Sequence, residues 1–344
     1  MTAPTTLLER TRPTEDGPER VQRSLRERYA SVRRRILIPV LLAVAVCVLF
    51  MTYDALDAWS VIWPIRIVRL LGLLVVAVAL SAATVVFQVV TRNRILSPSV
   101  MGFDAMFALI VTGSVFFLTS EVVNRIPNTV MFFVQASIMT VFAVSLFLLM
   151  LTRHRASVHL LVLVGIVMGI LLRSLTTMLL MIMDPNEFLT VQDRSIASFA
   201  IIDTEALLIT GTVTVLGVAF IMWRARTWDL LSLGQDVATA LGVDYRREVK
   251  YALAVSSILV ACATALVGPL MFFGLLVVNI TVFVVGSSKV QHLIPGAAAV
   301  GVVVLVGGQA ILEHIFDRAT VLSVALELFG GALLLFMIIK EARR

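Results

Sequence analysis

The stretch "VGPLMFFG", residues 267–274, decides how this chain is folded. It stands between two apolar runs, roughly 248–267 and 270–286. Proline has no N–H to give a helix, and its ring clashes with the preceding turn. Gly268 and Pro269 together are therefore read as a helix break. With the break, the chain has about ten membrane spans. Without it there are about nine, and the C-terminus changes sides.

Working outward from this point, the ten spans fall at roughly 36–53, 66–90, 100–118, 131–151, 158–183, 205–223, 248–267, 270–286, 294–312 and 321–339. The distribution of basic residues arbitrates between ten and nine. If the N-terminus is cytoplasmic and there are ten spans, 22 of the 28 Lys and Arg lie on the inner side. Arg66, Arg69, Arg125, Arg194 and Arg318 lie outside, and Arg173 lies within a span. Nine spans would place the basic end "KEARR" outside, against the positive-inside rule. Trp59, Trp63, Trp223 and Trp228 all fall at span ends, where aromatic belts form. The expected fold is an all-α polytopic membrane protein with both termini cytoplasmic.

Composition agrees. Of the 344 residues, 59% are hydrophobic and 15% charged, too little polar surface for a chain bathed in water. Residues 1–35 hold nine arginines and no apolar period, and read as a disordered cytoplasmic tail whose end, "RERYASVRRR", suits anionic lipid. A signal peptide is not expected, because the first apolar run starts late and lacks a cleavage site. The net charge of +6 comes from span ends rather than from a groove, so nucleic acid is not an expected partner. Cys47 and Cys262 lie far apart in apolar runs and read as packing residues.

Enzymatic motifs are missing. There is no P-loop, no HExxH and no GxSxG, and the histidines (His154, His159, His292, His314) sit singly near span ends. No cofactor or metal is expected on this chain.

One polar interval stands out: "WDLLSLGQDVATALGVDYRR", residues 228–247, in the longest inner loop. Ser232 with Gln235 spells a capping box. Leu233, Val237, Ala240 and Leu241 recur on one helical face, and Gly242 suits a left-handed C-terminal cap. About nine residues of helix are expected, at ~1.5 Å each far short of a span. Such an element either docks to a partner or lies on lipid. Asp236, Asp244 and the lack of Lys or Arg inside it count against lipid.

Within the spans, ionisable residues are sparse. Arg173 and Glu327 draw notice because an intramembrane charge costs roughly 2.5–3.5 kcal/mol on the insertion scale. Gly165, Gly169, Arg173 and Thr177 recur at a spacing of four on span five, and "GIVMG" is a small-xxx-small surface. Two readings stay open. Glu327 is a buried partner that holds Arg173, or Arg173 faces a water-lined path and attracts an anion. An ion-gradient carrier would need several intramembrane carboxylates, and the spans offer chiefly Glu327.

Several stretches together resemble the FecCD family of ABC-transporter permeases, which import ferric siderophores, haem and vitamin B12. "RIVR" supplies Arg66 and Arg69 of the family's R-x-P-R element without its proline. "QVVTRNRILSPSVMG" supplies Gln88, Thr91, Arg92, Asn93, Pro98 and Gly102, with Arg94 where the family has proline. The cytoplasmic L-x-L-G-x-x-x-A-x-x-L-G-V is matched by Leu231, Leu233, Gly234, Ala238, Leu241, Gly242 and Val243. Gly268, Pro269, Phe272, Gly274 and Leu275 match G-P-x-x-F-x-G-L.

The resemblance covers residues 36–340 and implies one transmembrane domain, with the coupling helix within 228–247 docking to ABC ATPase subunits that carry the ATP and Mg. It implies that Arg66 and Arg69 meet an extracytoplasmic siderophore-binding protein; the alternative is snorkelling at the interface. It also implies a second permease subunit, with a heterodimer favoured over a homodimer, and a translocation path between the two that Gly165, Gly169, Arg173 and Thr177 partly line. "VNITV" and "ATV" depart from the family pattern. With "RNRILSPSVMGFD" and "MDPNEFLTVQD" they resemble the subgroup handling catecholate-type ferric siderophores. Haem or another metal chelate is the alternative cargo. The chain itself is expected to be non-catalytic, in the cytoplasmic membrane.

Overall fold

The computed structural model describes residues 17–52, 59–152, 158–314 and 322–342. Among these are twelve α-helices: α1 (Gly17–Thr52), α2 (Trp59–Thr91), α3 (Phe103–Arg125), α4 (Asn128–Thr152), α5 (Val158–Ile182), α6 (Pro185–Ser195), α7 (Thr204–Leu231), α8 (Gln235–Ala240), α9 (Tyr245–Val267), α10 (Phe273–Val285), α11 (Val290–His314) and α12 (Leu322–Ala342). A 3-10 turn, Pro98–Met101, precedes α3.

Eight of these helices are long and apolar enough to cross a membrane, whereas α10 and α12 carry shorter apolar stretches. The break at 267–274 is present. Helix α9 ends at Val267, Gly268 takes φ 97°, and α10 starts only at Phe273. Its 13 residues reach roughly 20 Å at 1.5 Å per residue, less than the ~30 Å hydrocarbon core.

Helix α2 is the centre. Leu73, Val76, Ala77, Ala79, Ala83, Val86 and Phe87 are fully buried along it, and α7, α9, α10 and α11 pack around it. Small residues set the closest approach. A Cβ on Gly301 of α11 would lie 2.6 Å from Ser81 Oγ and 3.2 Å from the Ala77 carbonyl oxygen. In a membrane, where burying apolar area against lipid tails gains nothing, such close backbone approach is what binds helices. Outward faces are apolar, as in Leu37, Ile38, Leu41 and Val44 of α1 and Leu208, Val215 and Leu216 of α7.

Three expectations are corrected here. Helix α1 begins at Gly17, so residues 17–35 of the supposed disordered tail are helical; residues 1–16 lie outside the described residues. Helix α7 runs on to Leu231, past the expected end near 223, because its last turns bury Trp228 and Leu231. The supposed outer loop after span five contains helix α6, N-capped by Asp184, whose side chain accepts from Asn186 N at 2.9 Å, with Pro185 in the first turn.

Candidate functional site

Arg69 and Thr91 lie 22 residues apart on α2, roughly 33 Å along a helix, so they mark opposite ends of the bundle. Three groups of candidate residues follow: one at each end and one between.

At the Thr91 end lies α8. Its entry turns on Gly234, with φ 101° and ψ 167°, a backbone that β-carbon residues avoid. Ser232 does not cap it, contrary to the capping-box expectation. Ser232 ends α7, its Oγ donating to the Asp229 carbonyl at 2.6 Å, and Gly234 takes the N-cap position with no side-chain bond. The helix is therefore six residues rather than nine.

Its exit is as expected: Gly242 has φ 83°, and Val243 N donates back to the Ala238 carbonyl at 3.0 Å. The motif residues divide by direction. Leu231 and Ala238 are fully buried and Gly234 sits against Arg92, while Leu233, Val237 and Leu241 are about half exposed and form an apolar knob pointing away from the protein. Underneath, Glu248 of α9 is buried, pairing with Arg224 at 3.0 Å and accepting from Trp228 Nε1 at 3.1 Å. A rigid base thus carries the knob.

At the other end, Arg66 Nη1 donates to the Phe50 carbonyl at 3.2 Å. Arg69 Nε donates to the Ala200 carbonyl at 3.1 Å, and its Nη1 lies 3.6 Å from Glu313 Oε1, which also accepts from Gln309 at 2.8 Å. Both arginines are therefore tied to their own chain, and both remain only partly buried. Arg318 lies outside the described residues.

Between the ends, the four positions on α5 do not share one face. Four residues of helix overshoot a turn by about 40°, so twelve residues drift by about 120°. Gly165 and Gly169 are buried: a Cβ on Gly165 would lie 2.7 Å from Met101 Cε, and one on Gly102 would lie 3.3 Å from Gly169 Cα. They seat the 3-10 turn against α5. Arg173 and Thr177 are exposed, on a cavity of about 440 Å³ with Ile170, Ser174, Met178 and Met181. Glu327 is also exposed and makes no ion pair with Arg173, so the buried-pair reading is corrected too.

The sequence reading missed Asp104, a carboxylate in the first turn of α3 that is 6% exposed, with neither oxygen hydrogen-bonded among the described residues. Its signal was an acid directly after Gly102–Phe103 in an apolar span. No group of three or more His, Cys, Asp or Glu that could hold a metal occurs among the described residues.

A bundle of apolar helices, eight of them long enough to cross a membrane among the described residues, is a multi-pass membrane protein. The chain belongs to the FecCD transport family, whose model matches residues 33–340. It is 36% identical to the petrobactin import system permease protein YclO of Bacillus subtilis (strain 168), over 90% of this chain and 99% of that one. It is 31% identical to the petrobactin import system permease protein FatC of Bacillus anthracis, over 80% and 78% of the two chains. Its fold is similar to that of an ABC transporter assigned to the metal-chelate type and solved in an inward-facing conformation. That likeness has a TM-score of 0.78 and 24% identity, covering 90% of this chain and 99% of that one.

Proposed function

We propose that this chain is the permease subunit of an ATP-driven importer that carries a ferric siderophore, of catecholate type, across the cytoplasmic membrane. The observation that carries the reading is the end-to-end match to a petrobactin permease, 36% identical over 99% of its length. The α8 knob supports it. Leu233, Val237 and Leu241 present an apolar surface on a buried base formed by Leu231, Ala238, Trp228 and Glu248. A protrusion so braced transmits a push, as coupling to an ATPase requires.

In this reading the chain does no bond chemistry. ATP and Mg sit on separate ATPase subunits, and ten spans leave both termini and α8 on the cytoplasmic side. A second permease, a paralogue rather than a copy, completes the path. Arg173 and Thr177 face that path, and Arg173 attracts the negative charge of a ferric catecholate in a low-dielectric cavity. Arg66 and Arg69 stand at the opposite end and meet acidic residues of a siderophore-binding protein.

Co-purification tests the reading. The tagged chain, extracted in mild detergent, is expected to bring down a P-loop ATPase, identified by mass spectrometry. A Gly234→Trp/Leu241→Asp variant is expected to lose it. A wild-type chain that emerges alone and stable would end the coupling proposal.

A further inference from the structure

Asp104 is a buried carboxylate in the first turn of an apolar, membrane-length helix, and the proposed path provides no task for it. An ionised carboxylate in such a place needs a counter-charge, and a neutral one needs an acceptor for its proton. Neither Asp104 oxygen has a hydrogen-bond partner among the described residues.

The fold places Arg173 for this task. Gly102 abuts Gly169, and Met101 fills the space over Gly165, which presses the start of α3 onto α5. Asp104 follows Gly102 by two residues, and Arg173 follows Gly169 by one helical turn. In the structure Arg173 is turned instead into the open cavity beside Thr177 and Met178, where its guanidinium makes no hydrogen bond or ion pair among the described residues. One buried carboxylate and one exposed guanidinium, neither paired among the described residues, thus flank a single contact between helices.

We propose that Asp104 is an alternative partner of Arg173: the guanidinium exchanges between the Asp104 carboxylate and the open cavity, where an anionic cargo competes for it. Asp104 is then a positioning residue. It keeps Arg173 neutralised when no ligand is present and competes with the cargo for the guanidinium, so that a ligand attracted by Arg173 is also released. The inference rests on the importer reading for the identity of the cargo, though not for the existence of the pair.

The test has two arms, both on the assembled transporter. Melting midpoints are compared, without cargo, for wild type, Asp104→Asn, Arg173→Gln and the double variant. Each single change is expected to lower the midpoint by several degrees, and the double to fall no further than the worse single. Additive losses, or no change on Asp104→Asn, overturn the pair.

In reconstituted vesicles, Asp104→Asn is expected to lower KM for a ferric catecholate several-fold while slowing turnover, with no such effect in the Arg173→Gln background. Unchanged KM and turnover overturn the exchange with cargo. Non-additive midpoints in a complex that takes up no ferric catecholate would uphold the pair and sink the siderophore reading.

Discussion

The guanidinium of Arg92 lies directly over Gly234, so close that a Cβ on the glycine would stand 2.9 Å from Arg92 Nη1. Two constraints thus meet at the entrance to α8, the crowding by Arg92 and the φ of 101° at Gly234 itself. They predict different outcomes. A guanidinium at the end of a flexible side chain moves aside readily, whereas a disfavoured backbone costs about 1–3 kcal/mol wherever its neighbours go. Gly234→Ala is therefore expected to lower ATPase retention, and Arg92→Ala in the same chain is not expected to restore it. Restoration would show that crowding, rather than backbone conformation, dictates the glycine.

Glu248 anchors the platform beneath that turn. It receives the Trp228 indole at 3.1 Å and pairs with Arg224 at 3.0 Å, and its side chain is 8% exposed against 25% for the arginine. Trp228→Phe deletes one hydrogen bond and leaves the ion pair, an expected loss of about 1 kcal/mol. Glu248→Ala leaves Arg224 half-buried without its partner and is expected to cost about 2–3 kcal/mol. Thermal unfolding of the detergent-solubilised chain reads both. Equal losses would mean that the ion pair adds nothing to the hydrogen bond.

Much of this was legible in the sequence, and the boundary of legibility is physical. Gly268, Pro269 and Gly242 act through their own backbone, so the α9–α10 break and the exit from α8 could be read locally. Ser232 misled because S-x-x-Q is a local pattern that a glycine with positive φ overrode two residues later. Helix α6 was overlooked although its start signals, Asp184 and Pro185, are local; only its hold on α3, from Glu187 to Ser120 67 residues earlier, is distant. Asp104 escaped because its burial comes from tertiary packing that its sequence neighbours do not announce. The spacing of four on α5 put Gly165 and Thr177 on a common face only while the 40° drift per step was neglected.

Arg66, bound to the Phe50 carbonyl at 3.2 Å, tests binding-protein docking. Arg66→Glu is expected to weaken association with the siderophore-binding protein at least tenfold at low salt. The difference should shrink as ionic strength rises, because exposed charges are screened within about 10 Å at 0.1 M. Surface-immobilised binding protein and reconstituted transporter measure this directly. An affinity that is the same for both chains would leave Arg66 as an interfacial arginine and nothing more.

Thr119 breaks α3 with φ 67° and ψ 156°, a region almost reserved for glycine. The next residue is clamped by Glu187 of α6, whose two carboxylate oxygens accept from Ser120 N at 2.8 Å and Ser120 Oγ at 3.0 Å. Arg194, at the far end of α6, donates to Asn124 at 2.6 Å. The terminal piece of α3 and helix α6 are thus joined at two points across a strained residue. Thr119→Gly removes the strain without touching the bonds and is expected to stabilise the protein by about 1 kcal/mol. Glu187→Ala removes the clamp and is expected to cost about 1–2 kcal/mol, partly through exposing the Ser120 N–H. The combination discriminates between a clamp that merely tolerates the strain and one that imposes it. If Glu187 imposes it, the α3 break relaxes once Glu187 is gone, and Thr119→Gly no longer stabilises the Glu187→Ala chain. A gain of the same size in both backgrounds would show that the break is set by the packing of α3 alone.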